Sequence, residues 1–289
     1  NIQTKEFSWT SSFNISFNRN KVLSLNDDEP SLASRVNWGN FNNAYPYIAI
    51  PGHPIAMFYG HIFDGVYQYT DFDKVGESYI LKDGVPNNGN AREKIQPGDI
   101  KFKDINRDGV VNDYDLTIIG NPNPKHIGGF GNNFQYKNFD LNVFFQWSYG
   151  GDVLNANRIE FEGGDPNART SLNMFASFAN RWTPENQTNE LYRIGGQGPA
   201  VYSSRTIEDG SFLRLKTVSL GYRLPNAWLK KINIKSLRVY ASAQNLITWT
   251  RYSGPDPEVS TRPTALTPSF DWSPYPRPRT LTLGVDISF

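Results

Sequence analysis

The stretch that most constrains this chain is Arg279 to Phe289, RTLTLGVDISF. Leu281, Leu283, Val285, Ile287 and Phe289 are apolar, and Thr280, Thr282, Gly284, Asp286 and Ser288 between them are small or polar. A period of two makes this a strand with one greasy face. About 9 to 11 such residues, tilted by roughly 45°, cross the hydrocarbon of an outer-membrane bilayer with apolar side chains towards lipid and polar ones towards a lumen. The same alternation also suits a soluble β-sandwich, whose strands are apolar inside and polar outside. Recurrence along the chain has to decide.

It does recur. From Lys5 to Phe17, Phe7, Trp9, Phe13, Ile15 and Phe17 share one side, with Ser11 the gap, and Lys21 to Leu25 reads as the returning arm of a hairpin. Ile127 to Tyr136 and Phe139 to Tyr149 form a second hairpin closed at Lys137 and Asn138. In its second arm Phe139, Leu141, Val143, Phe145, Trp147 and Tyr149 point one way, with Phe144 the exception. Such a face on a soluble protein is an exposed patch, whereas in lipid it is the expected surface. Phe212 to Leu224 and Ser236 to Thr248 alternate less cleanly, because Leu213 and Leu215 fall out of phase with Val218, Leu220 and Tyr222. With a bent strand over Ile48 to Tyr69, about eight strands are expected in all.

The remaining stretches read as connections. Asn26 to Pro30 is an acidic turn, Thr70 to Gln96 a polar excursion, and Asp152 to Asn189 a long loop with a helix whose face carries Leu172, Phe175, Phe178, Ala179 and Trp182. An aromatic fraction of 14%, with 24 Gly and 19 Pro, fits β structure rich in turns. A net charge of +1 gives no electrostatic case for nucleic acid. The absence of cysteine excludes disulfides and zinc–thiolate clusters. No run of 18 apolar residues exists for a transmembrane helix, which leaves a barrel open. Because the sequence starts at Asn1 inside a strand pattern, a piece of a longer protein is expected.

One motif carries chemistry. Asp104 to Asp115, DINRDGVVNDYD, places Asp104, Asn106, Asp108, Val110, Asn112 and Asp115 at positions 1, 3, 5, 7, 9 and 12 of the calcium-loop template, with Gly109 at position 6. Alternate oxygens wrap a hard cation, Val110 offers its carbonyl, and Asp rather than Glu at the last position suits a structural Ca2+ site of dockerin-like appearance. The competing reading is a turn in which the same side chains only cap amides. His53, His61 and His126 are isolated and suit loop or interface roles. Gly128 to Gly131 reads as a turn, since no helix follows to make a phosphate cradle. The carboxylates are scattered and nominate no acid/base pair. Trp182, Tyr192, Tyr202 and Trp272 could stack on sugar rings or anchor an interface.

Taken together, GDIKFKDINRDGVVNDYDLTIIGNPNPKHIGGFGNNFQYKNFDLNVFFQWSYGGD (Gly98 to Asp152), RWTPEN (Arg181 to Asn186), DGSFLRLKTVSLGYRLP (Asp209 to Pro225), VYASAQNLITWTRYSGPDPEVS (Val239 to Ser260) and YPRPRTLTLGVDISF (Tyr275 to Phe289) resemble the C-terminal part of the SusC-like (RagA-like) TonB-dependent outer-membrane transporters of Bacteroidetes. The resemblance implies an all-β fold: the C-terminal portion of a 22-stranded antiparallel transmembrane β-barrel with long extracellular loops, set in lipid and lipopolysaccharide of the Gram-negative outer membrane. It implies active import, not catalysis. A SusD-like surface lipoprotein lids the barrel and captures oligosaccharides or peptides, and TonB–ExbB–ExbD pulls on a plug domain. Plug and early strands are expected as further segments, and transporter–lipoprotein pairs as dimers. Two other classes stay open: a soluble β-sandwich glycan-binding module with a dockerin-like calcium loop, whose aromatic faces would pack on each other, and a surface glycan hydrolase.

Overall fold

The computed structural model describes residues 1–38, 41–163, 172–200, 202–230, 233–262 and 264–289. Its frame is one antiparallel seven-stranded sheet. In chain order the strands are β1 (Ile2–Gln3), β2 (Phe7–Ser16), β3 (His126–Tyr136), β4 (Phe139–Tyr149), β5 (Phe212–Arg223), β6 (Ser236–Thr250) and β7 (Thr280–Ser288), and they lie side by side in that order. The register stacks like with like. One row across the sheet reads Trp9, Phe134, Leu141, Leu220, Ala241 and Leu283, and the next row on the opposite face reads Thr10, Asn133, Asn142, Ser219, Ser242 and Thr282.

The phase break at Leu213 and Leu215 has a structural cause. Phe144 and Phe145 of β4 stand opposite Thr217 and Leu215 of β5, which leaves Lys216 as an extra residue in a β-bulge. A bulge resets the alternation. Leu213 and Leu215 therefore pair with Trp147 and Phe145 on the apolar face, as Val218 and Leu220 pair with Val143 and Leu141. Across from Lys216, β6 carries Asn245 and Leu246 between Gln244 and Ile247, and Asn245 takes a left-handed φ of 53°. Phe144 points to the polar side, where its ring would strike a side chain placed on Gly129 at 2.8 Å, and Trp147 likewise fills the space above Gly128. The glycines expected in a turn are thus strand residues covered by rings from β4.

The connections fall into two kinds by the end of the sheet they leave. At one end β3 and β4 are joined by Lys137 and Asn138, and β5 and β6 by 224–235 with a short helix, Asn226–Leu229. At the other end run 17–125, 150–211 and 251–279. These three pack on one another. One core joins Trp38, Tyr47 and Phe58 of the first to Leu154 and Ile159 of the second and Phe270 of the third, and another joins Ile100, Phe102 and Val111 to Trp182, Leu191 and Tyr192.

Several expected elements differ. Lys21 to Leu25 is not a hairpin arm: Val22 exchanges backbone hydrogen bonds with Gly52 and His53, and β2 pairs instead with β1 and β3. Ile48 to Tyr69 is divided among Phe41–Ala49, Met57–Gly60 and Phe63–Val66, none in the main sheet, because Pro51 and Pro54 interrupt the ladder. Thr70 to Gln96 holds a small hairpin, Phe72–Val75 with Ser78–Leu81, over Tyr67 and Ile95. The helix of the second connection is Ala156–Gly163, upstream of the expected one, and only a 3-10 turn forms at Ala176–Asn180. Residues 164–171 of that loop lie outside the described residues.

The bulge makes a sharp prediction. Deleting Lys216 from the full-length protein closes the bulge and leaves Leu215 and Thr217 in strict alternation, so that Leu213 and Leu215 stay on the apolar face and Arg214 on the polar one. The protein should then still reach the folded, heat-modifiable form on gels of isolated membranes; complete loss of the folded band would contradict the register.

Candidate membrane interface and metal loop

The apolar face of the sheet lies open. Phe13 is 64% exposed and Leu283 86%, and Ile15, Leu213, Leu220, Ile247, Trp249 and Val285 are also exposed. The side chains that a soluble protein hides are here presented outward across all six long strands. An eleven-residue strand such as β3, at roughly 3.3 Å per residue and a tilt of about 40°, rises about 27 Å, which matches the ~25 Å apolar band of outer-membrane barrels. Rings gather at both ends of that rise. At the end of the long connections His126 stacks on Tyr149 and meets Phe17 edge-on, and Phe139 lies against Tyr222 at the other. His126 is an interface residue, its Nδ1 accepting from the Trp147 indole at 3.1 Å.

The opposite face is polar and internally paired. Arg238 of β6 donates to Asp140 of β4 at 2.6 Å and to Asp286 of β7 at 3.1 Å, an ion triad that leaves room only for Gly221 beside it. Nearer the long connections Arg214, fully buried, donates to Asp256 at 2.5 Å and Glu258 at 3.0 Å, and Arg277 pairs with the same two carboxylates. A buried guanidinium needs such partners. The network fastens the third connection against the polar face of the wall.

The two faces of the sheet also dispose of the sandwich reading. That fold needs the rings of Phe7 to Phe17 packed onto those of Phe139 to Tyr149. In the structure these rings sit on the same side of one sheet, with β3 between them, Trp9 stacked on Phe134 and Phe13 on Trp147. The buried carboxylates are spent on internal partners: Glu162 on Arg158 and Arg205, Asp99 on Arg193, and Asp271 on Asn157 and the Tyr252 hydroxyl. Burial nevertheless holds the Asp99 and Asp271 carboxyls above the ordinary range. Of the rings proposed for sugar stacking, Trp182 and Tyr192 are core residues, and Trp272 stacks on Phe161. Tyr202 packs over Gly60, with its phenol pushed up to about 12 by burial.

The acidic loop follows the short strand Ile100–Phe102, without a preceding helix. Asp104 accepts from the amides of Arg107 and Gly109, Asn106 from Asp108, Asp108 from Val110, and Asn112 from Tyr114. Asp115, wholly buried, accepts from Ile105 at 2.7 Å and from Asn112 at 2.9 Å. Gly109 supplies a φ of 85° for the turn. All six expected positions are therefore drawn into one loop. A carboxylate has about four acceptor sites, so these amide bonds leave capacity on Asp104, Asp108 and Asp115, and the donor set is of the hard-oxygen kind that calcium takes. Among the described residues no group of three or more carboxylate or imidazole side chains converges into a metal cage. The donors fit in kind, while the loop's shape is set by amide caps. His61 stacks on Phe102 beside this loop, and burial lowers its pKa against the opposing pull of Asp115 and Asp113.

A sheet with one apolar and one polar face, short turns at one end and an assembly of long loops at the other defines a section of a membrane β-barrel wall. No protein-family model matches the chain. It is 35% identical to TonB-dependent receptor P3 of Formosa agariphila over 100% of its own length and 27% of that receptor. It is 29% identical to the TonB-dependent receptor SusC of Bacteroides thetaiotaomicron, again over its full length and 25% of SusC. In fold it follows the RagAB peptide transporter with a TM-score of 0.70, at 24% identity, covering 100% of this chain and 28% of that one. The closed-closed state of the RagAB peptide importer gives a TM-score of 0.71. The chain's relatives are thus TonB-dependent receptors, SusC among them, and it spans about a quarter of their length. These relatives are described as receptors and transporters, not enzymes.

Neighbouring residues on opposite faces should respond differently to the same substitution. Val218→Lys, near the middle of the apolar band, should destabilise the full-length barrel by about 2–4 kcal/mol, and Ser219→Lys by much less. Urea titration of protein folded in lipid vesicles measures both, and equal costs would contradict the assignment of faces.

Proposed function

We propose that this chain is a C-terminal section of the wall and outer loops of an outer-membrane barrel that imports oligosaccharides or peptides. The observation that carries the reading is the pairing of an open apolar face with three long connections at one end of the sheet only. That asymmetry is the one outer-membrane barrels have, with short periplasmic turns and long extracellular loops. The polar face then lines the path, and the packed loops form the outer mouth on which a SusD-like lipoprotein seats. Energy for release comes from TonB–ExbB–ExbD acting on a plug domain carried by other parts of the protein. The two free edges of the sheet, β1 and β7, are completed by the remaining strands, since unpaired backbone in hydrocarbon is too costly to persist. Both substrate classes stay within the proposal, as the resemblance to SusC-like transporters implies.

Calcium belongs to the same proposal. Asp104, Asn106, Asp108, Asn112 and Asp115, with the carbonyl of Val110, would hold the ion, whose binding energy adds to the stability of a segment that otherwise has only amide caps. The loop lies next to the core of Phe102 and Val111, so fixing it fixes the junction of the first two connections. The role is structural.

Two experiments follow. Removing the gene for the full-length protein should abolish growth on either an oligosaccharide or a peptide mixture as sole source while sparing growth on glucose and free amino acids; unimpaired growth on every polymer tested would reject the import reading. For calcium, EGTA should lower the melting temperature of the purified transporter, and Asp104→Ala should both lower it and remove the response to EGTA. A wild-type protein indifferent to EGTA would leave the loop to its amide caps.

A further inference from the structure

Between the sheet strand Met57–Gly60 and the acidic loop lies a cavity of about 610 Å³, lined, among the described residues, by the long connections and not by the wall. It is separate from the path along the polar face and falls within the usual 300–1,000 Å³ of small-ligand sites. Tyr45, His61, Asn88, Asp113, Tyr114 and Tyr202 line it. Two of these rings are conspicuous for being unused: Tyr114 is 83% exposed and Tyr45 44%. Exposing a phenol ring at the mouth of a cavity costs apolar hydration that a ligand's apolar face would relieve.

The chemistry of the lining narrows the ligand. Among the described residues the lining holds no lysine or arginine, and Asp113 stands exposed at the rim, so sulfated, phosphorylated or uronic groups would meet a carboxylate without a counter-charge. The polar side chains are instead a carboxylate, two amides, an imidazole and phenols, a mixture of donors and acceptors that suits hydroxyl groups, which both donate and accept. The shape is also fixed from below. Asn88, 1% exposed, donates to the carbonyl of Ile100, and Tyr202 lies on Gly60, where a side chain would approach its ring to 3.1 Å. Asn112 and Asp115 cap each other's backbone amides around Asp113 and Tyr114 and hold them at the rim.

We propose that this cavity is a binding subsite for a neutral saccharide unit, with Tyr45 and Tyr114 stacking on its faces and Asp113 and His61 meeting its hydroxyls. It serves as a capture point on the outer loops. The site does not require that the transported substrate be the same sugar, and it stands whether or not the import reading does.

The test uses purified full-length transporter in detergent and saturation-transfer NMR with maltose, cellobiose, laminaribiose and, as a contrast, trialanine. At least one disaccharide should give transfer signals at millimolar concentration. In the Tyr45→Ala/Tyr114→Ala double variant its binding should be at least about tenfold weaker, the loss expected for two stacking rings. Tyr114→Trp, which keeps a ring, should retain it. Heat-modifiable gel migration checks that each variant is folded. Signals unchanged in the double variant would place the sugar elsewhere and overturn the proposal. So would signals from trialanine alone, or from none of the four probes.

Discussion

The whole structure depends on one constraint: in hydrocarbon every backbone amide and carbonyl has to find a partner inside the protein. Strands that satisfy it must lie edge to edge along their full length, and β2 to β6 do so with ladders that run from one ring girdle to the other. Once the ladder is fixed, period two decides everything about the side chains. The apolar residues of six strands form one surface, and the serines, asparagines and ion triads form the other. The bulge at Lys216 is the single point on the apolar side where this arithmetic slips, and it slips in step with Asn245 and Leu246 on the neighbouring strand.

The loops obey different physics. They return to water, so they need an interior of their own, and it is assembled from all three long connections. Trp38, Tyr47, Leu154 and Phe270 come from segments far apart in sequence and meet in one core. Charges do the joining between loops and wall. Arg214 reaches from the polar face of β5 to Asp256 and Glu258, so that the third connection is tied across the mouth by charge-assisted hydrogen bonds where ring packing ends.

This division explains what could be read from the residues alone. The alternation in β2, β4 and β7 is a local signal, visible in any window of ten residues, and the structure places those strands where it predicts. The phase error in β5 was visible too, but only the partner strand reveals it as a bulge. Gly128 to Gly131 misled because glycine usually marks a turn, and the rings of Phe144 and Trp147 that fill the space come from the next strand. The spacing of Leu172, Phe175 and Phe178 imitates a helix; in the fold it is a 3-10 turn, and the helix itself, Ala156–Gly163, carries Asn157, Glu160 and Glu162 inside and so shows no apolar stripe. The strands Leu32–Trp38 and Phe41–Ala49 escaped for the same reason, their burial being set by distant partners. Of the candidate site, the twelve-residue acidic loop was fully legible, since its spacing is local. The cavity beside it was not, because Tyr45, His61 and Tyr202 meet Tyr114 only through tertiary packing.

Everything in the wall turns on its apolar face meeting lipid. Single cysteines along β7, from Thr280 to Ser288, carrying spin labels in the full-length protein reconstituted in lipid, test it through collision with oxygen and with a water-soluble nickel chelate. A period of two is expected: labels at 281, 283, 285 and 287 favouring oxygen, and labels at 282 and 286 favouring nickel. Uniform access to nickel along the strand, or the inverse pattern, would contradict it.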